Sequence, residues 1–519
     1  MSHLQRATIS HQLTACLTEP LFPLALFRAS YLDAHLARTG TPLGPLHGLP
    51  ISIKDSFHIT GYDSSIGIAS LCHKPGTKNA TIVDILLAAG AVIHCKTNVP
   101  QTLMALDSVN NIFGRTLNPE NRRDWTAGGS SGGEGVLVKM RGSVMGVGTD
   151  VGGSVRIPAM CNGIYGFKPS LGRIPAEGQT GAQLEAAGKV GMESVVGPIA
   201  NDLADIDLFM EVVEAAEAWK VDAAVIPGKW WKVVPRKNKK DLLIGIVCTD
   251  GIATPLPPVR RMLSDTVRLL NTSGISTISL PTAPPLLRRC LPISNKLFTA
   301  EGSTHTLSLL SHTTEPLIPW LQPRLKHNPA STINNLRDLQ ARKIRLQTDF
   351  LISLWKTKTQ DGRERDIDAF ICPVAPHPVP GLDEWNTVNY TSAFVLLDYP
   401  AAVVPVGSVT AADLDEEVEG GEVLGGWDRV NRRLWDGEGM GEKKRMGEKK
   451  GMGEGMGDRV NKSLWGGEGK GMGMDRKRYL GSPLCVQVVG PRLQEKRVWD
   501  VSRVLEEAVK GMEKVNSML

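Results

Sequence analysis

The chain reads as an α/β protein, a layered fold in which a mostly parallel sheet is covered by helices on both faces. Two observations predict this. Helix-patterned and strand-patterned segments alternate along the chain, and about 450 of the 519 residues lie outside one low-complexity stretch, enough for a large core built on a single sheet. Taken in order, Pro50–Asp55 alternates apolar and polar residues as a strand entering the core does. Thr81–Ala89 has helical spacing and ends near Gly90, and Ala91–Lys96 reads as the strand that follows. Gly135–Met140 opens a helix, Ser143–Val147 is a short buried strand bounded by glycines, and a further helix begins at Val155. Asn334–Lys358 reads as one long helix and Ile367–Pro373 as the strand after it.

The low-complexity stretch is Ala411–Arg478. It carries 17 of the 54 glycines, has few branched or aromatic residues, and balances its acidic and basic side chains. Asp428-Arg-Val-Asn…Leu434-Trp435 recurs 30 residues later as Asp458-Arg-Val-Asn…Leu464-Trp465. Two copies are too few to stack as a solenoid. The composition predicts a disordered surface insertion between two core strands, where added loop length costs little.

The chemistry concentrates between Thr126 and Pro158, where two serine-bearing, glycine-rich loops stand one helix–strand step apart: G-G-S-S-G-G (Gly128–Gly133) and G-G-S (Gly152–Ser154). Glycines let the backbone take positive φ and approach a ligand closely. Ser154 sits where a strand ends and a helix begins, so consecutive backbone N–H groups surround it. The Val151, Gly152, Gly153 and Ser154 amides are therefore candidate donors to an oxyanion and the expected substrate-binding set, to which the family resemblance given below adds Ser130. A serine hydroxyl needs a base. No histidine stands in an obvious role and there is no G-x-S-x-G elbow. Lys54 ends the Pro50–Asp55 strand, where burial would lower its pKa and let it act as a neutral base. Singly, a Gly-Ser loop reads as a turn and a lone lysine as a solvated strand-end charge. It is their order and spacing together that suggest catalysis. The glycines fit neither a dinucleotide fingerprint nor a phosphate loop.

Lys54 in I-S-I-K-D-S-F, T-A-G-G-S-S-G-G-E-G and G-T-D-V-G-G-S-V-R-I-P together resemble the Ser–Ser–Lys machinery of the amidase signature family. The resemblance extends to Tyr165–Pro175, Val195–Ala200, Leu396–Gly407 and Pro483–Gly490, and is similar in particular to the fungal acetamidase-type branch. It implies one α/β domain over residues 1–519, a single large mixed, mostly parallel β-sheet sandwiched between helices, with 411–478 as the insertion. It implies catalytic Lys54, Ser130 and Ser154, with Ser130 bridging lysine and nucleophile, a cis peptide bond before Ser130, and Asp150, Arg156 and Ser131 in structural support. The implied activity is hydrolysis of a carboxamide through a serine acyl-enzyme, with no metal and no cofactor. Leu103, Met104 and Gly191–Val195 are candidate contributors to the pocket walls. Members of this branch carry more residues ahead of the point where this chain begins, so Met1–Thr18 resembles the middle of a helix and the chain is expected to be shorter than usual. The alternatives are an inactive or truncated member acting through the repeat, and the glutaminase subunit of a tRNA-dependent amidotransferase.

Composition bounds the partners. The formal net charge of +5 is modest and no basic stripe with interleaved aromatics occurs, so nucleic acid is not expected. No apolar run reaches membrane-spanning length, so no membrane insertion is expected. Eight scattered cysteines without metal spacing, and no secretory segment, predict a reduced cytoplasmic protein. A small-molecule amide is the expected partner, and a homodimer is left open.

Overall fold

Strands that alternate with helices along this chain come together in one sheet. The computed structural model describes residues 2–182, 190–231, 238–358, 364–418, 421–436 and 475–518. Among them, eleven strands share the sheet: β1 (Leu17–Pro20), β2 (Pro50–Lys54), β3 (Val92–Thr97), β4 (Met145–Asp150), β5 (Tyr165–Lys168), β6 (Val195–Ala200), β7 (Leu243–Ile246), β8 (Ser276–Ser279), β9 (Ala369–Pro373), β10 (Ala401–Ser408) and β11 (Pro483–Val489). Their spatial order is β1-β3-β2-β4-β6-β5-β10-β11-β9-β7-β8. Parallel pairing gathers in two groups, β3-β2-β4 and β9-β7-β8, and the strands between pair antiparallel.

Side-chain alternation places both faces of the sheet in apolar cores. Ile371, Val404, Val486 and Val488 join one cluster with Ile82 and Leu86 of the helix Thr81–Ala88 and Phe209 of the helix Leu203–Ala215. Their strand neighbours Phe370, Cys372 and Val489 face the other way, against Leu297, Leu346, Phe350 and Phe394 from the helices Cys290–Phe298, Ile333–Leu354 and Asn389–Leu396. This is the large mixed sheet flanked by helices that the sequence predicts, with four parallel and six antiparallel pairings among the described strands.

Element boundaries move by a few residues. The predicted strand Ser143–Val147 becomes β4 at Met145–Asp150. The Ser143 hydroxyl is engaged by the Ser52 N–H (2.9 Å) and donates to Met145 O (2.7 Å), so this residue caps the strand instead of joining it. The long helix ends at Leu354. Beyond it Lys356–Lys358 pairs antiparallel with Glu364–Asp366, matching lysines to carboxylates across a two-stranded ribbon.

The insertion reading needs correction. The segment does lie between two core strands, since β10 and β11 pair with each other. Its start, however, builds structure: a capping box at Thr410 opens the helix Ala411–Leu414, and Gly426–Asp436 is a helix that buries Val430, Asn431, Leu434 and Trp435. Trp435 is fully buried, stacks on Tyr479 at 5.8 Å and donates its indole N–H to Glu416 O (2.9 Å). Amphipathic spacing within one short helix supplied core residues that average composition concealed. The second repeat copy, 458–465, lies outside the described residues.

Candidate active site

Three parallel strands deliver the chemistry at their carboxyl ends, where open α/β sheets form their crevices. β2 ends on Lys54, whose register partner in β3 is Thr97, and β4 ends on Thr149 and Asp150. Lys54 is fully buried and its ammonium nitrogen lies 2.7 Å from Ser130 Oγ and 2.6 Å from Thr149 Oγ1. Burial drives its pKa from 10.5 down to about 7, against the opposing pull of the Asp150, Glu134 and Asp55 carboxylates. A lysine there is half neutral near physiological pH.

The first glycine-rich loop leads into the helix Gly132–Lys139, with Ser131 at its N-cap position and a cis peptide bond between Gly129 and Ser130. Ser131 is tied to both neighbouring elements. Its N–H donates to Ser154 O (3.3 Å), and its hydroxyl oxygen lies 3.4 Å from both the N–H and the carbonyl oxygen of Thr149. Glycine is required at Gly133, where a Cβ would stand 2.4 Å from the Asn98 nitrogen.

The second loop turns on Asp150 and Arg156. Their side chains are fully buried and paired twice, Nε–Oδ2 at 2.9 Å and Nη2–Oδ1 at 3.0 Å. Burial opposes ionisation of Asp150, but the Arg156 guanidinium, the Lys168 ammonium and the Val155 N–H together outweigh it and hold the carboxyl below its usual range. Asp150 also accepts the Gly153 N–H (2.7 Å) and the Val155 N–H (3.2 Å). Arg156 continues to Thr391 O (2.9 Å) and Gln487 Oε1 (3.2 Å). Gly153, at φ +128°, closes the turn.

The structure thus separates the four expected oxyanion donors. The Gly153 amide is committed to Asp150. The Val151, Gly152 and Ser154 amides have no protein acceptor among the described residues, nor does the Ser154 hydroxyl make a hydrogen bond among them. Ser154 is buried, at 5% exposure. Lys54, Ser130, Ser131, Asp150, Ser154 and Arg156 all belong to this one constellation.

Glu134 is the residue that the sequence reading missed. It lies in the first turn of the helix after Ser131 and is fully buried. Ser52, two residues before Lys54 on the same face of β2, donates to one carboxyl oxygen (2.5 Å), and Thr97 donates to the other (2.8 Å). Burial raises its pKa to about 8, with the two hydroxyls and Lys54 pulling the other way. The only sequence signal was a glutamate inside a glycine-rich helix start, which reads as an ordinary N-terminal charge. No group of three metal-ligating side chains occurs among the described residues.

Residues 1–499 match the sequence profile of the Amidase family. The chain belongs to that family. An acetamidase of Emericella nidulans is 35% identical to this amidase over 505 residues, 96% of this chain and 83% of that protein. An amidase of Gibberella moniliformis is 38% identical over 415 residues, 78% of this chain and 74% of that protein. Among solved structures, a fatty acid amide hydrolase superposes with a TM-score of 0.80 at 26% identity, covering 97% of this chain and 80% of that one. The amidase is a hydrolase of amides, and no helix among its described residues is long and apolar enough to cross a membrane.

Proposed function

We propose that this amidase is a single-domain enzyme that converts a small carboxamide to a carboxylate and ammonia or an amine through an acyl-enzyme on Ser154. The observation that carries the reading is the hydrogen bond between buried Lys54 Nζ and Ser130 Oγ, beside a loop with amides that no group among the described residues accepts. Neutral Lys54 takes the Ser130 proton as Ser130 takes that of Ser154. The Ser154 oxygen adds to the carbonyl carbon, and the oxyanion accepts the Val151, Gly152 and Ser154 N–H groups. Losing one such donor costs roughly 3–4 kcal/mol of transition-state stabilisation. The C–N bond breaks as Ser130 protonates the leaving nitrogen and recovers a proton from Lys54. Water then adds to the acyl carbon, its proton passing back through the same groups, and the ester C–O bond breaks to restore Ser154. The proton step from Ser154 to Ser130 requires the two hydroxyls to come within hydrogen-bond reach in the substrate complex; catalytic hydrogen bonds are often long in unliganded enzymes.

Asp150, Arg156 and Ser131 hold the loops and take no part in proton transfer. No cofactor, nucleic acid or membrane insertion enters this scheme. All eight cysteines are unpaired, which supports a reducing, cytoplasmic setting. The test is labelling with a fluorophosphonate beside an amide screen. The wild-type protein should label and hydrolyse at least one simple amide, and Ser154→Ala should do neither. A Ser154→Ala protein that retains hydrolysis overturns the assignment.

A further inference from the structure

Lys168 closes β5 and is fully buried. Its ammonium donates to Pro169 O (2.9 Å), and its other two N–H groups have no acceptor among the described residues. Burial lowers its pKa to about 8, against the pull of the Asp398 carboxylate. A buried cation with unclaimed donors is costly unless a negative partner reaches it.

Lys168 lines a cavity of about 280 Å³, the volume that roughly nine waters take up in the liquid. Lys54, Ser130 and Ser154 do not line it. Val195 does, and it is the register partner of Asp150, so the cavity lies one strand from the residue that braces the nucleophile loop.

Two further cations stand in the wall. Lys343, on the helix Ile333–Leu354, has no ion-pair partner among the described residues. Arg492 gives its Nε–H to Asp398 Oδ2 (2.5 Å), and its terminal N–H groups have no acceptor among the described residues. The carboxylates in the wall are Asp398 and Glu193. Asp398 is spent on Arg492 and on the Leu171 N–H (2.7 Å). Three cations against two carboxylates leave one positive charge in excess, which suits a monoanion and not a dianion. Met192, Val195, Ile344 and Val395 add apolar wall beside the charges, which suits an alkyl tail.

We propose that this cavity is a second ligand site, which binds a short-chain monocarboxylate with its charged head on Lys168 and its tail against Val195 and Ile344. Such acids are the class of molecule that amide hydrolysis releases. The inference does not depend on the acyl-enzyme reading, since Ser154 takes no part in the cavity.

Isothermal titration calorimetry of the wild-type protein at neutral pH and fixed ionic strength compares sodium pentanoate with sodium phosphate. Pentanoate should bind, and phosphate should bind about tenfold more weakly. Ile344 is 61% exposed, so Ile344→Trp can fill the cavity from the solvent side without disturbing the core, and Lys343→Gln removes a cation from the same helix. Ile344→Trp should weaken pentanoate binding about tenfold, Lys343→Gln about threefold and Lys168→Met beyond detection. Should Lys168→Met fail to fold, the two helix variants decide. A pentanoate affinity within about twofold of wild type in Ile344→Trp overturns the proposal, because the anion then sits elsewhere, the Ser154 site included. Absence of pentanoate binding to the folded wild-type protein overturns it too, and phosphate binding as tight as that of pentanoate overturns the carboxylate assignment.

Discussion

Lys54 and Glu134 are held in the same buried pocket with pKa values displaced toward each other, one down to about 7 and one up to about 8. Two predictions follow from the signs. Only neutral Lys54 can accept a proton, so kcat/KM should fall about tenfold per pH unit below pH 7 and level off above it. Lys54→Met should lower kcat/KM by about 10²–10⁴ and remove that acid limb; an unchanged limb would show that another group titrates. Stability runs differently. Glu134 binds a proton more tightly folded than unfolded, so its contribution is full below pH 4.5 and is lost as pH rises toward 8, by up to about 1.4 kcal/mol per unit. Lys54 binds its proton less tightly folded, so its contribution is full above pH 10.5 and is lost as pH falls toward 7. Glu134→Gln keeps a shape that Ser52 and Thr97 can bond, so urea titrations between pH 5 and 8 should show a flatter slope than wild type. Equal slopes would place the carboxyl's proton elsewhere. The grouping of Lys54, Ser130 and Ser154 in one place was legible because chain order and glycine spacing are one-dimensional signals. Glu134 was not, because its burial comes from β2 and β3 closing over it.

At the scale of elements, the eight helices and strands read from apolar period are all present within a few residues, and the errors lie elsewhere. Ser143 is one such case and the ribbon after Leu354 another. The helix Gly426–Asp436 is the largest: its Trp435 and Leu434 are core residues set in a glycine-rich tract, where average composition outweighed local spacing. Arg476 Nε donates to Trp435 O at 3.0 Å, so Asp436 and Asp475 stand close together in space. Replacing residues 437–474 by a short Gly-Ser linker tests the composition-based expectation that this tract supplies no core, and the melting temperature and amidase activity should then stay near wild type. In that shortened protein, which lacks the second repeat copy, Trp435→Ala should cost about 3–5 kcal/mol by denaturant titration. A loss under about 1 kcal/mol there would mean that Trp435 is dispensable to the core.

Over the whole molecule, the site is assembled from both ends of the chain, and this was the part that sequence could not supply. Arg156 braces the nucleophile loop, yet its partners Thr391 and Gln487 stand more than 230 residues away. Gln487 belongs to β11, which sits between β10 and β9 as the last of the four strands that separate the two parallel groups of the sheet. Its amide donates to Pro373 O (2.8 Å) and Tyr390 O (2.6 Å) while its carbonyl accepts from Arg156. Gln487→Ala would leave buried carbonyls and a guanidinium N–H without partners, at about 1–3 kcal/mol each. Such a site cannot persist once either half of the sheet separates, so loss of amide hydrolysis in urea should share its midpoint with loss of the far-ultraviolet dichroism of the whole chain. Gln487→Ala should move both midpoints down together. If activity disappears at a urea concentration where the dichroism is intact, the nucleophile loop is a locally unfolding unit, and bracing by β11 does not couple it to the sheet.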